Sequence, residues 1–241
     1  MTQEATQSVQ QNSDGSLSVN PTTVTDSNGH KVSQVSVDTK TILDALDHLP
    51  SSSDKDQVVL QIPSDGWDDF ELDFDAELFQ KLLYKNSKIV LTIQSMFAAF
   101  HFPASTVQKS LEQFGVPLNG AHVKLRMSKK SLVNDELLHQ LGVSSVTTPI
   151  DYKMNIIEKS GSNHTMNQFD SYTKHLLNVP SSFSETTFSH LVGVMIDPAT
   201  GKYYPVPAIF TKDSKGILQA QIYGRNNAVY AVVQNSKTPR R

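Results

Sequence analysis

Leu191-Val192-Gly193-Val194-Met195-Ile196-Asp197-Pro198-Ala199-Thr200-Gly201-Lys202-Tyr203-Tyr204-Pro205-Val206-Pro207-Ala208-Ile209-Phe210, continuing through Ile217 to Val233, is the stretch whose reading sets the fold class. Its apolar runs are interrupted by Asp197-Pro198-Ala199-Thr200-Gly201, Lys212-Asp213-Ser214-Lys215-Gly216 and Gly224-Arg225-Asn226-Asn227. Gly, Pro, Asn and Asp at such intervals are turn chemistry, so the spacing predicts a β-meander rather than a catalytic pocket. A meander has an apolar face to bury, and the upstream chain must cover it.

Upstream, residues 150–158 and 164–172 predict a hairpin across Lys159-Ser160-Gly161-Ser162-Asn163, with strand continuing to Val179 and a break at Pro180. Residues 122–127 alternate as a strand, and 134–141 predict a short helix stopped by Gly142. Helices and strands alternate between Asp38 and Met127, a pattern that can hide a weak duplication. Asp38 is placed to cap a helix carrying Ile42, Leu43, Leu46 and Leu49 and ended by Pro50. Asp75 is expected to cap a second helix over 76–84. Pro103 opens a third, with Val107, Leu111 and Phe114 on one side and Gly115 as terminator. Strands fall at 58–62, 70–74, 89–93 and 97–102; the continuous apolar run at 58–62 predicts burial on both faces. Alternating valines around Asp26-Ser27-Asn28-Gly29 predict a hairpin.

The first twenty residues hold too little apolar surface to offset ordering entropy and read as a disordered linker or tail. The expected division is therefore a tail over 1–20, an α+β domain over 21–180, and a β-meander over 181–237 packed on it as one continuous unit. The expected class is α+β, with mainly antiparallel sheets and three or four short helices.

The chain has 241 residues and a formal net charge of -3, with no broad basic surface to favour nucleic acid. Cysteine is absent, which excludes disulfides, cysteine nucleophiles and thiolate-bound zinc; it suits a protein exported by a Gram-positive bacterium. No apolar run approaches the ~18 residues of a membrane span. No secretory leader is visible at Met1-Thr2-Gln3-Glu4.

The densest ionisable cluster is Asp69, Glu71, Asp73 and Asp75, alternating with Phe70, Leu72 and Phe74. Carboxylates gathered this way can hold Ca²⁺, yet alternate strand residues lie about 7 Å apart and point the same way. A solvated acidic strand face is the plainer reading; Asp69, Glu71 and Asp73 stay weak metal candidates, and no cofactor is expected. A glycosidase needs a second carboxylate facing the first across ~5 to 9.5 Å, and nothing in the sequence places one. No His-Glu-x-x-His, Gly-x-Ser-x-Gly or Gly-x-Gly-x-x-Gly occurs, so no enzyme is expected. Trp67, in Asp-Gly-Trp-Asp-Asp, reads as an exposed indole able to stack on a sugar, with Tyr203 and Tyr204 joining the platform. The competing reading is an aromatic capping the core edge.

Residues 194–207, followed by Asn226-Asn227-Ala228-Val229-Tyr230-Ala231-Val232-Val233, resemble the segment just before the surface-layer homology (SLH) repeats in cell-surface proteins of Gram-positive, bacillus-like bacteria. Similar pieces lie upstream at 21–26, 35–38, 59–63 and 114–118. The resemblance implies a non-catalytic spacer or adaptor of an S-layer-type, wall-associated protein, extracellular at the cell surface. Its partners would be cell-wall polysaccharide, reached through SLH repeats, or other surface proteins. This chain stops at Arg241, where the first SLH repeat is expected, so the anchor itself is missing from it. The alternative is a carbohydrate-binding module using exposed aromatics. The family motifs are turn and strand residues and assign no catalytic position.

Overall fold

The computed structural model describes residues 9–25, 31–48, 56–62, 67–130, 143–183, 189–197 and 200–235. Its elements are β1 (Val9–Gln11), β2 (Leu17–Val19), β3 (Thr22–Thr25), β4 (Lys31–Val37), α1 (Thr39–Asp47), β5 (Gln57–Gln61), β6 (Asp69–Asp75), α2 (Glu77–Lys85), β7 (Val90–Gln94), β8 (Ala98–Pro103), α3 (Ala104–Phe114) and β9 (His122–Lys129). There follow β10 (Val143–Ser145), β11 (Ile150–Ile157), β12 (Asn163–Thr165), β13 (Gln168–Asn178), β14 (Leu191–Ile196), β15 (Tyr203–Pro205), β16 (Ala208–Lys212), β17 (Leu218–Asn226) and β18 (Ala228–Asn235). An eight-stranded sheet runs β1-β2-β5-β7-β8-β13-β17-β16, and a ten-stranded sheet has the path β15-β14-β18-β11-β9-β6-β4-β3 with β10 and β12 attached to it. Their inner faces share one apolar core that includes Phe70, Phe74, Phe100, Tyr152, Ile222 and Tyr230.

This corrects the α+β expectation. The described residues are 54% strand and 16% helix, with three helices, and both sheets are mixed. Parallel pairing joins β4 to β6, β2 to β5 and β5 to β7. The reason is that α1 and α2 carry the chain from the large sheet to the small one, so successive strands within each sheet enter in the same direction. The two β-α-β units repeat each other. Val37 pairs with Phe74, and the same sequence offset relates Asp38 to Asp75 and the buried Ile42 and Ala45 to the buried Phe79 and Leu82.

All three helices lie at one end of the sandwich. β4 and β6 run into helices there and β5 and β7 leave them, while β8, antiparallel to β7, ends beside its start at Val90↔Pro103 and feeds α3. The Asp38 carboxylate accepts from Thr41 N at 3.0 Å as the N-cap of α1. Asp75 does not cap α2; it ends β6 and accepts from Thr39 Oγ1 at 3.1 Å, tying the two repeats together. Gly115 closes α3 at φ 66, the left-handed backbone a C-terminal glycine supplies.

Two boundaries move. Leu17 and Val19 of β2 are in the core at 2% and 0% exposure, so the expected disordered tail is a hairpin of the small sheet from Val9 onward. The terminal stretch is not one meander. β14 and β15 form a hairpin in the large sheet, β16 and β17 a hairpin in the small one, and β18 returns to the large sheet between β14 and β11. Likewise β12 pairs with β11, whereas β13 crosses to the small sheet. β5 is buried on one face only, its pattern alternating from Gln57 to Gln61, because among the described residues no helix covers the outer face of the small sheet. The predicted helix over 134–141 and the Asp26–Gly29 turn lie outside the described residues.

The crossover from β17 to β18 is fixed by one side chain. Asn227 Nδ2 donates to Met154 O and Asn227 Oδ1 accepts from Met154 N, both at 3.0 Å, so the amide extends the β11–β18 ladder where the backbone has left it. Beside it Tyr230 Oη donates to Asn226 O at 3.1 Å. Gly224 passes so close that an added Cβ would lie 2.0 Å from that hydroxyl.

Behind the crossover His175 is fully buried, stacked on Phe100 (4.8 Å) and Tyr230 (4.1 Å) with Tyr152 edge-on. Its Nε2–H donates to Thr173 Oγ1, whose hydroxyl donates to Gly224 O at 3.0 Å. Burial pushes His175 down to about 3, with a smaller contribution from His101.

Two outcomes are expected. Asn227→Ala strips Met154 N of its partner and leaves Met154 O with Met166 N, lowering unfolding free energy by about 1–3 kcal/mol, measurable by urea titration. Because the folded pKa of His175 lies below the unfolded value near 6.5, its stabilising contribution is full above that pH. It is lost as pH falls towards 3, at up to about 1.4 kcal/mol per unit; His175→Phe flattens that part of the profile.

Candidate functional site

The acidic row on β6 faces a basic row on β9. Antiparallel register sets Asp75 opposite His122, Asp73 opposite Lys124, Glu71 opposite Arg126 and Asp69 opposite Ser128. Arg126 bonds Asp69 at 2.9 Å, Lys124 bonds Glu71 at 3.1 Å and reaches Asp73 at 3.6 Å, and His122 Nδ1 lies 2.9 Å from Asp73. Burial alone would raise the Asp69 carboxyl. Hydrogen bonds from Arg126 and Ser128 and the Arg126 charge outweigh it and hold the group below its ordinary value. The weak metal candidates thus stand in a cross-strand charge ladder, and no cluster with metal-ligand geometry occurs among the described residues. His122, Lys124 and Arg126 alternate visibly in the sequence, but which strand they face is a property of the fold.

The sugar platform is not assembled as expected. Trp67 is 3% exposed, packed against Phe70 at 5.6 Å and Phe97 at 5.2 Å with Lys129 Nζ over its ring. The reading that it caps the core edge is the one the geometry bears out, since no face is left for a sugar. Tyr203 is half-buried and Tyr204 43% exposed on β15, five strands from β6 in the sheet order, or about 24 Å at ~4.8 Å per strand.

A groove of about 670 Å³ lies between α1 and α2. Its charges pair with one another, Lys40 with Asp44, Lys85 with Asp47 and Lys81 with Glu77, which is ordinary helix-surface chemistry.

The outer face of the small sheet is of another kind. Alternation projects Gln57, Val59 and Gln61 from β5, Thr92 and Gln94 from β7, Ala99 and His101 from β8, Lys174, Leu176 and Asn178 from β13, and Gln219, Gln221 and Tyr223 from β17. Amides and hydroxyls dominate; of these side chains Lys174 alone is charged at neutral pH. Two grooves cross the face. One, of about 390 Å³, has Ala99 in its lining between Gln94 and Leu176. The other, of about 380 Å³, has His101, Pro103, Tyr172 and Tyr223 in its lining together with the charged Asp56 and Lys174. Gln57 Nε2 donates to Thr92 Oγ1 at 2.6 Å, and the Thr92 hydroxyl donates to His101 Nδ1 at 2.7 Å. The His101 Nε2–H has no hydrogen-bond partner. Burial, then the Lys174 charge, pushes His101 down to about 3, so the ring is neutral. The signal for this face was present in the sequence, since the polar positions of Gln57-Val58-Val59-Leu60-Gln61 and Gln219-Ala220-Gln221-Ile222-Tyr223 are amides rather than charges.

No family model, curated protein or solved structure matches this chain. No helix among the described residues is long and apolar enough to cross a membrane.

The ladder makes a prediction. Arg126→Ala leaves the buried Asp69 carboxylate with Ser128 as its remaining strong donor, destabilising the fold by about 1–2 kcal/mol near neutral pH; because the carboxyl then loses the partner that holds it low, the fall in stability below about pH 5 becomes shallower than in the wild type. Added Ca²⁺ leaves the wild-type unfolding midpoint unchanged, because cationic side chains already occupy the carboxylates; a calcium-dependent rise in calorimetry would restore the metal reading.

Proposed function

We propose that this chain is a non-catalytic spacer or adaptor module of a wall-associated, S-layer-type bacterial surface protein, working outside the cell. The observation that carries the reading is the pairing of the densest carboxylate row with Lys124, Arg126 and His122 on one sheet face. Groups so engaged serve stability and solubility rather than acid–base chemistry, which needs a carboxyl poised towards a substrate. The resemblance of residues 194–207 and 226–233 to the segment preceding SLH repeats supports the surface location and the adaptor role. Wall polysaccharide, bound through SLH repeats of the same protein, or neighbouring surface proteins are the partners this reading implies.

Two measurements test it. Antibodies raised to the purified chain label intact cells of its source, and the chain incubated with purified Gram-positive walls releases no reducing sugar above buffer. Label confined to lysed cells sinks the surface role, and sugar release abolished by Asp73→Asn sinks the non-catalytic one.

A further inference from the structure

We infer that the outer face of the eight-stranded sheet, along β13 and β17, binds a neutral polysaccharide chain; this rests on the wall-module reading and names the ligand of that module. Cross-strand register sets Lys174 beside Tyr223, Leu176 beside Gln221 and Asn178 beside Gln219. From Tyr172 to Asn178 the row extends about 20 Å at ~3.4 Å per residue. An open track of that length fits an extended polymer, whereas a small ligand is usually enclosed in a concave pocket.

The chemistry of the track selects the polymer. Gln219 Nε2 donates to Asn178 Oδ1 at 3.1 Å, Gln221 Nε2 to Thr211 Oγ1 at 3.0 Å, and Tyr223 Oη to Gln221 Oε1 at 3.4 Å. These bonds orient the amides before a ligand arrives, which reduces the ordering cost of binding. An amide side chain has four hydrogen-bonding positions, and each of these commits one or two in the network. The remainder match sugar hydroxyls, which donate and accept at once. Tyr172 is 60% exposed, with the Arg225 guanidinium carbon 5.8 Å from its ring centroid on one side, and Leu176 is half-buried; the exposed part of the ring and the aliphatic strip suit the C–H faces of sugar rings.

Charge excludes the closest rivals. A phosphate- or carboxylate-bearing wall polymer calls for a field of cations, whereas the charges along this face are few and of both signs: Lys174 in its middle, Asp56 beside it, Asp213 and Lys215 at the far groove and Arg225 next to Tyr172. The large sheet, by contrast, puts Arg126, Lys124, Glu71 and Asp73 on its outer face. The same sandwich thus has one outer face dominated by paired charges and one dominated by amides and hydroxyls, and Tyr172 stands on the latter.

The test is retention of the purified chain on insoluble cellulose, β-1,3-glucan and chitin, with affinity electrophoresis in polygalacturonate as the anionic comparison. Retention on at least one neutral polymer, insensitive to salt, is expected. Tyr172→Ala weakens it about tenfold and Gln221→Ala by a smaller factor. Tyr204→Ala, on the other sheet, leaves it unchanged. Tyr172 is exposed, so its variant folds; unchanged urea midpoints confirm that for each protein used. No retention on any neutral polymer, equal loss in Tyr204→Ala, or stronger salt-sensitive binding to polygalacturonate overturns the inference. Surface labelling of cells is independent of this assay, so each reading fails on its own result.

Discussion

One side-chain amide stands where the two sheets exchange the chain. At Asn227 the backbone leaves the small sheet and enters the large one, and a strand that changes sheets abandons the hydrogen bonds of the ladder it was extending. Asn227 restores them by presenting its own carbonyl and amine to Met154. The bond to Asn226 O from Tyr230 and the close passage of Gly224 hold the same corner. With that corner set, β17 lies against β13 and β18 against β11 and β14, and the inner faces of both sheets meet over His175, Tyr152 and Phe100.

The opposite half solves the crossing problem with helices. α1 and α2 each take the chain from the large sheet to the small one, and α3 brings it back, so one end of the sandwich is closed by helices. The repeat of β-α-β units explains why parallel pairs occur in sheets otherwise built from hairpins and long connections. It also explains the Thr39–Asp75 bond, in which the residue ending the strand of one repeat holds the first helical residue of the other.

The two outer faces answer different demands. Strands β6 and β9 place opposite charges directly across from each other, a pairing that favours one register and repels a slipped one. The small sheet meets water with amides, hydroxyls and tyrosine, linked among themselves, and so offers a surface without a strong field. The histidines divide in the same way: His175 packs inside among aromatics, and His101 is half-buried on the amide-rich face; both remain uncharged because burial removes the solvent that would stabilise the imidazolium.

Local chemistry was legible in the sequence. Asp38 before an amphipathic segment, Pro103 and Gly115 around another, and the alternation from Asp69 to Asp75 each act within a few residues, and the corresponding elements formed where expected. Trp67 misled because exposure depends on what packs above a residue, and the cover, Phe97 from the β7–β8 turn and Lys129 from the end of β9, comes from remote parts of the chain. The terminal stretch misled for the same reason. Alternation and turns determined by themselves that Leu191 to Val233 forms strands and which side chains share a face. Only the tertiary structure decided that these strands divide between two sheets and that the Asp69–Asp75 row meets Arg126 and Lys124. A strand's side-chain period is local, whereas its hydrogen-bond partner is chosen by the packing of the whole chain.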